Sequence, residues 1–134
     1  MDLFSETILD HYKHPNNKGN LENPTISIDE VNPLCGDKLH IDLSIDSKDK
    51  IRDIRINPQG CAISTASASL LSEKLKGKSL KQINALTEKD IFKMLGIEIN
   101  PARIKCAMLP LITIKKAFIL KKLQSQNDST KNKD

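Results

Sequence analysis

The sequence predicts an α+β domain, a three-stranded antiparallel sheet with helices packed on one face. Three observations carry that prediction. Residues 38–45, "KLHIDLSI", alternate strictly: Leu39, Ile41, Leu43 and Ile45 lie on one side, His40, Asp42 and Ser44 on the other. Shorter runs flank this strand, one at Ile26 and Ile28 and one over 51–57 with Ile54 and Ile56 inward, and "DSKDK" turns the chain before the latter. From about residue 62 the apolar spacing becomes helical and stays so. Strands first and helices afterwards give a small sheet covered by helices, and 134 residues suit one domain whose core needs no disulfides.

The remaining elements follow in order. Phe4, Ile8 and Tyr12 at four-residue spacing predict a helix over 2–12, which "KHPNNKGN" stops with Pro15 and Gly19. A helix over about 62–76 carries Leu70, Leu71 and Leu75 and ends near Gly77. Its Ser64, Thr65, Ser67 and Ser69 are small enough for close helix packing. Ser79 and Thr87 each cap a short helix, and Asp90 stands three residues after Thr87. Asn100 caps a last helix with Pro101 at its first position. Pro110 should kink or break it. Residues 111–123 then place Leu111, Ile114 and Phe118 on one stripe, with the lysines mostly away from it. The domain thus spans residues 1–123, and 124–134, "QSQNDSTKNKD", lacks apolar residues and reads as a disordered tail.

Composition narrows the function. The net charge of +4 is small, much of it is C-terminal, and no aromatic residues alternate with the basic ones, so nucleic acid is not the partner. No apolar run approaches the roughly 20 residues of a membrane span. Acidic residues among the first apolar ones argue against a targeting segment, so the expected location is cytoplasmic. Three cysteines are too few and too odd a number for a disulfide framework.

Those cysteines all stand at element boundaries. Cys35 lies in a Pro–Leu–Cys–Gly–Asp turn before the long strand, Cys61 where a strand hands over to a helix, and Cys106 just after the Asn100–Pro101 start. Element ends converge at one edge of a small domain, where a shared ligand can be held. The intervals of 26 and 45 residues are not those of a zinc ribbon, so spacing alone leaves three separately buried cysteines open. A discontinuous tetrahedral site would need one more donor. Asp37 is the natural fourth, with Gly36 letting the backbone bend; a turn-stabilising carboxylate is its other reading. A helix N-terminus at Cys61, and Arg103 and Lys105 beside Cys106, would favour thiolates and attract an anionic polysulfide.

Four stretches, "ILDHYKHPNNKGNL", "NPLCGDKLHIDL", "QGCAISTASASLL" and "ARIKCAMLPL", resemble in order and position the U-type iron–sulfur cluster assembly proteins: IscU, SufU and the N-terminal domain of NifU. The resemblance covers residues 3 to about 123. It implies a SufE/NifU-like α+β fold. It also implies a chain that takes persulfide sulfur from a cysteine desulfurase, and either relays it from a zinc-bound site or builds a [2Fe–2S] cluster for recipient apoproteins. By motif, Cys35 and Asp37 match the family's C-G-D pair, Cys61 its G-C, and Cys106 its last cysteine.

The departures tilt the reading. IscU-type proteins carry a ligating His immediately before the last cysteine, where this chain has Lys105. "RIKCA" resembles the SufU branch, in which the C-G-D aspartate completes a Cys3Asp zinc site. The segment between the second and third cysteines is short, as in IscU, and "NPARIKC" replaces that branch's chaperone motif. The resulting expectation is Zn2+ on Cys35, Asp37, Cys61 and Cys106. Cys35 is the sulfur acceptor, Cys106 the alternative acceptor, and Arg103 helps dock the desulfurase. A labile [2Fe–2S] scaffold on the same residues is the second reading, and a zinc-stabilised interaction module without sulfur chemistry the third. His11 reads as structural and His40 as a polar-face residue.

Overall fold

The alternation at the centre of the sequence becomes the middle strand of the sheet. In the computed structural model, which describes residues 6–33 and 36–132 with side chains as far as Gln124, strand β1 (Ile26–Asn32) pairs antiparallel with β2 (Asp37–Ile45), and β2 with β3 (Ile51–Gln59). The register sets Asn32 opposite Asp37 and Ile41 between Ile28 and Ile56. Leu39, Ile41, Leu43, Ile54 and Ile56 are all buried on one face. A one-residue slip would carry that whole set to the outer face, so burial fixes the register.

Helix α1 (Glu6–Lys13) precedes the sheet; α2 (Ala62–Leu75), α3 (Leu80–Asn84), α4 (Glu88–Leu95) and α5 (Ile104–Asn132) follow it. The core lies between the sheet and helices α2 and α5, where Ile63, Leu71, Leu75, Leu111, Ile114 and Phe118 are buried. The α+β prediction holds. The first helix begins at Glu6, and residues 2–5 of its predicted span lie outside the described residues. Ser79 and Gln82 satisfy each other's backbone in a capping box, the Asp90 carboxylate accepts the Thr87 amide at 2.8 Å, and Gly96 ends α4 at φ +73°.

Helix packing shows why α2 is rich in small polar residues. Ser67, Ser69 and Ser72 are fully buried. Ser67 Oγ donates to the Ala107 carbonyl of α5 at 2.7 Å, and Ser69 Oγ accepts the Asn16 amide at 2.7 Å. His11 Nδ1 lies 2.6 Å from the same Ser69 hydroxyl, fastening α1 to α2. His11 is thereby structural, as its sequence context suggests.

Two expectations about α5 differ from the structure. Pro110 does not break the helix, which runs continuously from Ile104 to Asn132 with Pro110 inside it. Proline removes one backbone hydrogen bond. Packing of α5 against α2 and β1 outweighs that loss, and Thr113 Oγ1 donates to the Leu109 carbonyl one turn away. Helix also extends over 124–132, where a disordered tail is expected from composition. No helix among the described residues is long and apolar enough to cross a membrane.

Candidate metal centre

The site forms where β2 begins, where β3 hands over to α2, and where α5 begins. Gly36, at φ +74°, donates its N–H to the Asn32 carbonyl at 2.8 Å and turns the chain into β2, which places Asp37 at the first position of that strand. Asp37 is 4 % exposed. Its Oδ1 accepts the Cys61 amide at 3.1 Å and its Oδ2 lies 3.6 Å from Cys61 Sγ. Cys61 is the N-cap of α2, and the Ser64 amide points at its sulfur at 3.5 Å. A helix N-terminus presents unpaired N–H groups at this sulfur.

Cys106 arrives from the other side. Asn100 Oδ1 accepts the Ala102 amide at 2.9 Å and opens a 3-10 turn over Pro101–Arg103, which leads directly into α5. Cys106 thus falls in the first turn of that helix, three residues after Arg103. It is 2 % exposed, whereas Cys61 is half-buried. One donor atom from each of Asp37, Cys61 and Cys106 lies within 4.8 Å of the others. Zinc with Zn–S bonds of about 2.3 Å sets tetrahedral donors roughly 3.5–4 Å apart, so the separations fit a small shift onto one ion. Two sulfurs and a carboxylate oxygen also suit zinc in donor chemistry. The separately buried reading of these two cysteines is excluded by their proximity.

Three acidic groups crowded together repel one another once ionised, and a cation relieves the repulsion. The chain supplies one at the surface. Arg103 is exposed in the turn that leads into α5, with its guanidinium near the Cys61 and Cys106 sulfurs. The neighbouring Cys61, and more weakly Cys106, raise the Arg103 pKa above its ordinary value. Lys105 is exposed and outside the donor group. His40 stands on the outer face of β2, bonded through Nδ1 to Asp29 and through Nε2 to Asp42, both at 2.8 Å. Cys35 lies outside the described residues; Asn32 and Asp37, paired across the hairpin, bracket its position in the chain.

Two residues of the site escape a reading based on ligand types. Gly60 is one: a Cβ there would sit 2.8 Å from the Asp37 carboxylate and 2.6 Å from Ser64 Oγ. Only glycine lets the carboxylate lie against the strand end. Ser64 is the other, buried beside the Cys61 sulfur and not only a helix-packing residue. Its signal is positional, since the third residue after an N-cap directs its amide at the capping atom.

The chain belongs to the NifU-like N-terminal domain family, whose model matches residues 3–128. It is 36% identical over 124 residues to a zinc-dependent sulfurtransferase, SufU, of Bacillus subtilis, covering 80% of this chain and 83% of that one. It is 34% identical over 118 residues to the iron–sulfur cluster assembly scaffold protein IscU of Escherichia coli K12, covering 86% and 91%. Among solved structures, a protein provisionally assigned as the SUF-system iron–sulfur scaffold of Fervidobacterium islandicum superposes with TM-score 0.70 at 32% identity, over 85% of this chain and 95% of that one. The N-terminal part of a NifU-like protein from Brucella abortus gives TM-score 0.74 over 88% and 93%, at 16% identity, which speaks for the fold alone.

Proposed function

We propose that this chain is an iron–sulfur cluster assembly protein that accepts persulfide sulfur from a cysteine desulfurase and passes it towards recipient apoproteins. Zinc would be held by Asp37, Cys61 and Cys106, with Cys35 as fourth donor. The observation that carries the reading is the gathering of one carboxylate and two sulfurs within 4.8 Å from three separate parts of the chain. Bound zinc would neutralise these acidic donors and keep their sulfurs deprotonated. The sulfurtransferase relative supports zinc, and Lys105 in place of a ligating side chain supports the same choice.

The transfer itself is thiol exchange. The Cys35 thiolate attacks the terminal sulfur of the enzyme's persulfide, a new S–S bond forms at Cys35, and the enzyme's cysteine leaves as thiolate. No net oxidation is required. Burial of Cys106 makes it the poorer first acceptor. Arg103, exposed above the sulfurs, attracts the anionic persulfide and docks the enzyme's surface. The test is desulfurase turnover with the zinc-loaded chain, followed by mass spectrometry of each cysteine. Stimulated turnover with persulfide on Cys35 is expected, Cys35→Ala abolishes acceptance, and Arg103→Ala keeps the zinc but weakens enzyme binding about tenfold. No stimulation and no sulfur on any cysteine would end the proposal.

The scaffold relatives support a second reading, in which iron and sulfide assemble on the same donors. The hard oxygen of Asp37 would make such a cluster labile. Anaerobic reconstitution that displaces zinc and yields two irons per chain would favour it over the relay.

A further inference from the structure

We propose that Cys61 and Cys106 are a peroxide-sensitive pair that closes into a reversible intramolecular disulfide, a modification distinct from sulfur acceptance. Their sulfurs lie within 4.8 Å of each other, and one is half-buried while the other is 2 % exposed. An accessible thiol poised beside a shielded one is the arrangement of an attacking and a resolving cysteine. The shielded Cys106 is reached by oxidation only through its neighbour. The backbones that carry the pair are fastened close by: Ser67 of α2 donates to the Ala107 carbonyl of α5 at 2.7 Å. The sulfurs thus need to close from at most 4.8 Å to about 2.05 Å between elements already held side by side.

The chemistry balances with hydrogen peroxide as the oxidant. The Cys61 thiolate attacks one peroxide oxygen, an S–O bond forms, the O–O bond breaks and hydroxide leaves. Sulfur is oxidised to the sulfenic acid and peroxide is reduced. The Cys106 thiolate then attacks the Cys61 sulfur, the S–S bond forms and a second hydroxide leaves. With the two thiol protons this yields one disulfide and two waters. The product removes both sulfur donors from the site, so metal and disulfide exclude each other. A dithiol reductant reverses it. The proposal rests on the sulfur pair alone and stands whether or not the chain accepts sulfur.

The test treats the protein as purified with hydrogen peroxide, blocks remaining thiols, and maps peptides without reduction while a dye follows released zinc. The expected result is a Cys61–Cys106 linked peptide in most molecules, Cys35 still blocked as a free thiol, and release of any bound zinc in step with the link. Dithiothreitol should restore three free thiols, and excess zinc should slow the reaction about tenfold. Cys35→Ala should leave the link intact. Cys106→Ser should leave a sulfenic acid on Cys61 that a dione reagent traps. A link involving Cys35, a cross-link between chains, or direct over-oxidation of Cys61 in the unsubstituted protein would overturn the assignment.

Discussion

Asp37 and Asp42 sit on the same strand, face opposite ways, and are nearly equally buried, at 4 % and 3 % exposure. Asp42 is closed off by structural partners. It accepts the Leu21 amide at 3.0 Å, the Ser27 hydroxyl at 2.6 Å and His40 Nε2 at 2.8 Å. Both ring nitrogens of His40 face carboxylates, and these contacts raise its pKa, so the protonated ring serves as a cation for Asp42. Asp37 instead turns its second oxygen toward a thiol, with another sulfur beside it. A buried carboxylate with a cation of its own holds the loop over 14–25 to the sheet. One placed among acidic sulfurs belongs to the donor set proposed above for zinc.

The sharpest way to break this comparison is to remove each carboxylate in turn. Asp42→Ala should lower folding stability by about 2–4 kcal/mol, because it strands three donors, while leaving zinc content near one per chain. Asp37→Ala should do the reverse in zinc content, dropping it to a small fraction while the metal-free melting temperature moves little. Metal analysis and thermal melts of both variants decide it, and equal zinc loss in both would erase the distinction.

Gly60→Ala probes the Asp37 side alone. The added methyl meets the carboxylate at 2.8 Å and Ser64 Oγ at 2.6 Å. Displacing them should cost about 1–3 kcal/mol, with weaker zinc binding measured by competition with a chelating dye. Unchanged zinc affinity would show that the carboxylate does not need its place against the strand.

The smallest effect lies on the Asp42 side. Partial burial of the His40 ring pulls its pKa down, but the bonds to Asp29 and Asp42 win and raise it above 6.5. Asp42 is pushed up by burial and held below 3.8 overall by Ser27, Leu21 and His40. A raised histidine stabilises fully below 6.5 and loses that contribution as pH climbs through its folded value. A lowered aspartate stabilises above 3.8 and loses it as pH falls further. Stability from this pair should therefore be greatest between these values, and His40→Gln should flatten the alkaline limb by about 1 kcal/mol or less. Denaturant melts across pH check it.

Much of the fold was legible because it is written in local patterns. The alternation of 38–45 and the capping positions at Ser79, Thr87 and Asn100 all act within a few residues. Pro110 misleads for the same reason: the penalty is local, whereas the burial that overrides it comes from α2 and β1. In the site, residue type pointed to Asp37, Cys61 and Cys106, but Gly60 and Ser64 carry no ligand chemistry and show their roles only where strand end and helix start meet.

By itself the sequence determined the strands, the helix caps, and which side chains have sulfur or carboxylate chemistry to offer. These depend on spacing along the chain and on the character of each residue. Only the tertiary structure decided that Cys61 and Cys106 meet, that one is shielded and the other half-buried, and that Asp37 and Asp42 have different surroundings. Distance, burial and the identity of a buried group's neighbours are set by how the sheet and helices pack, and no short interval of residues encodes them.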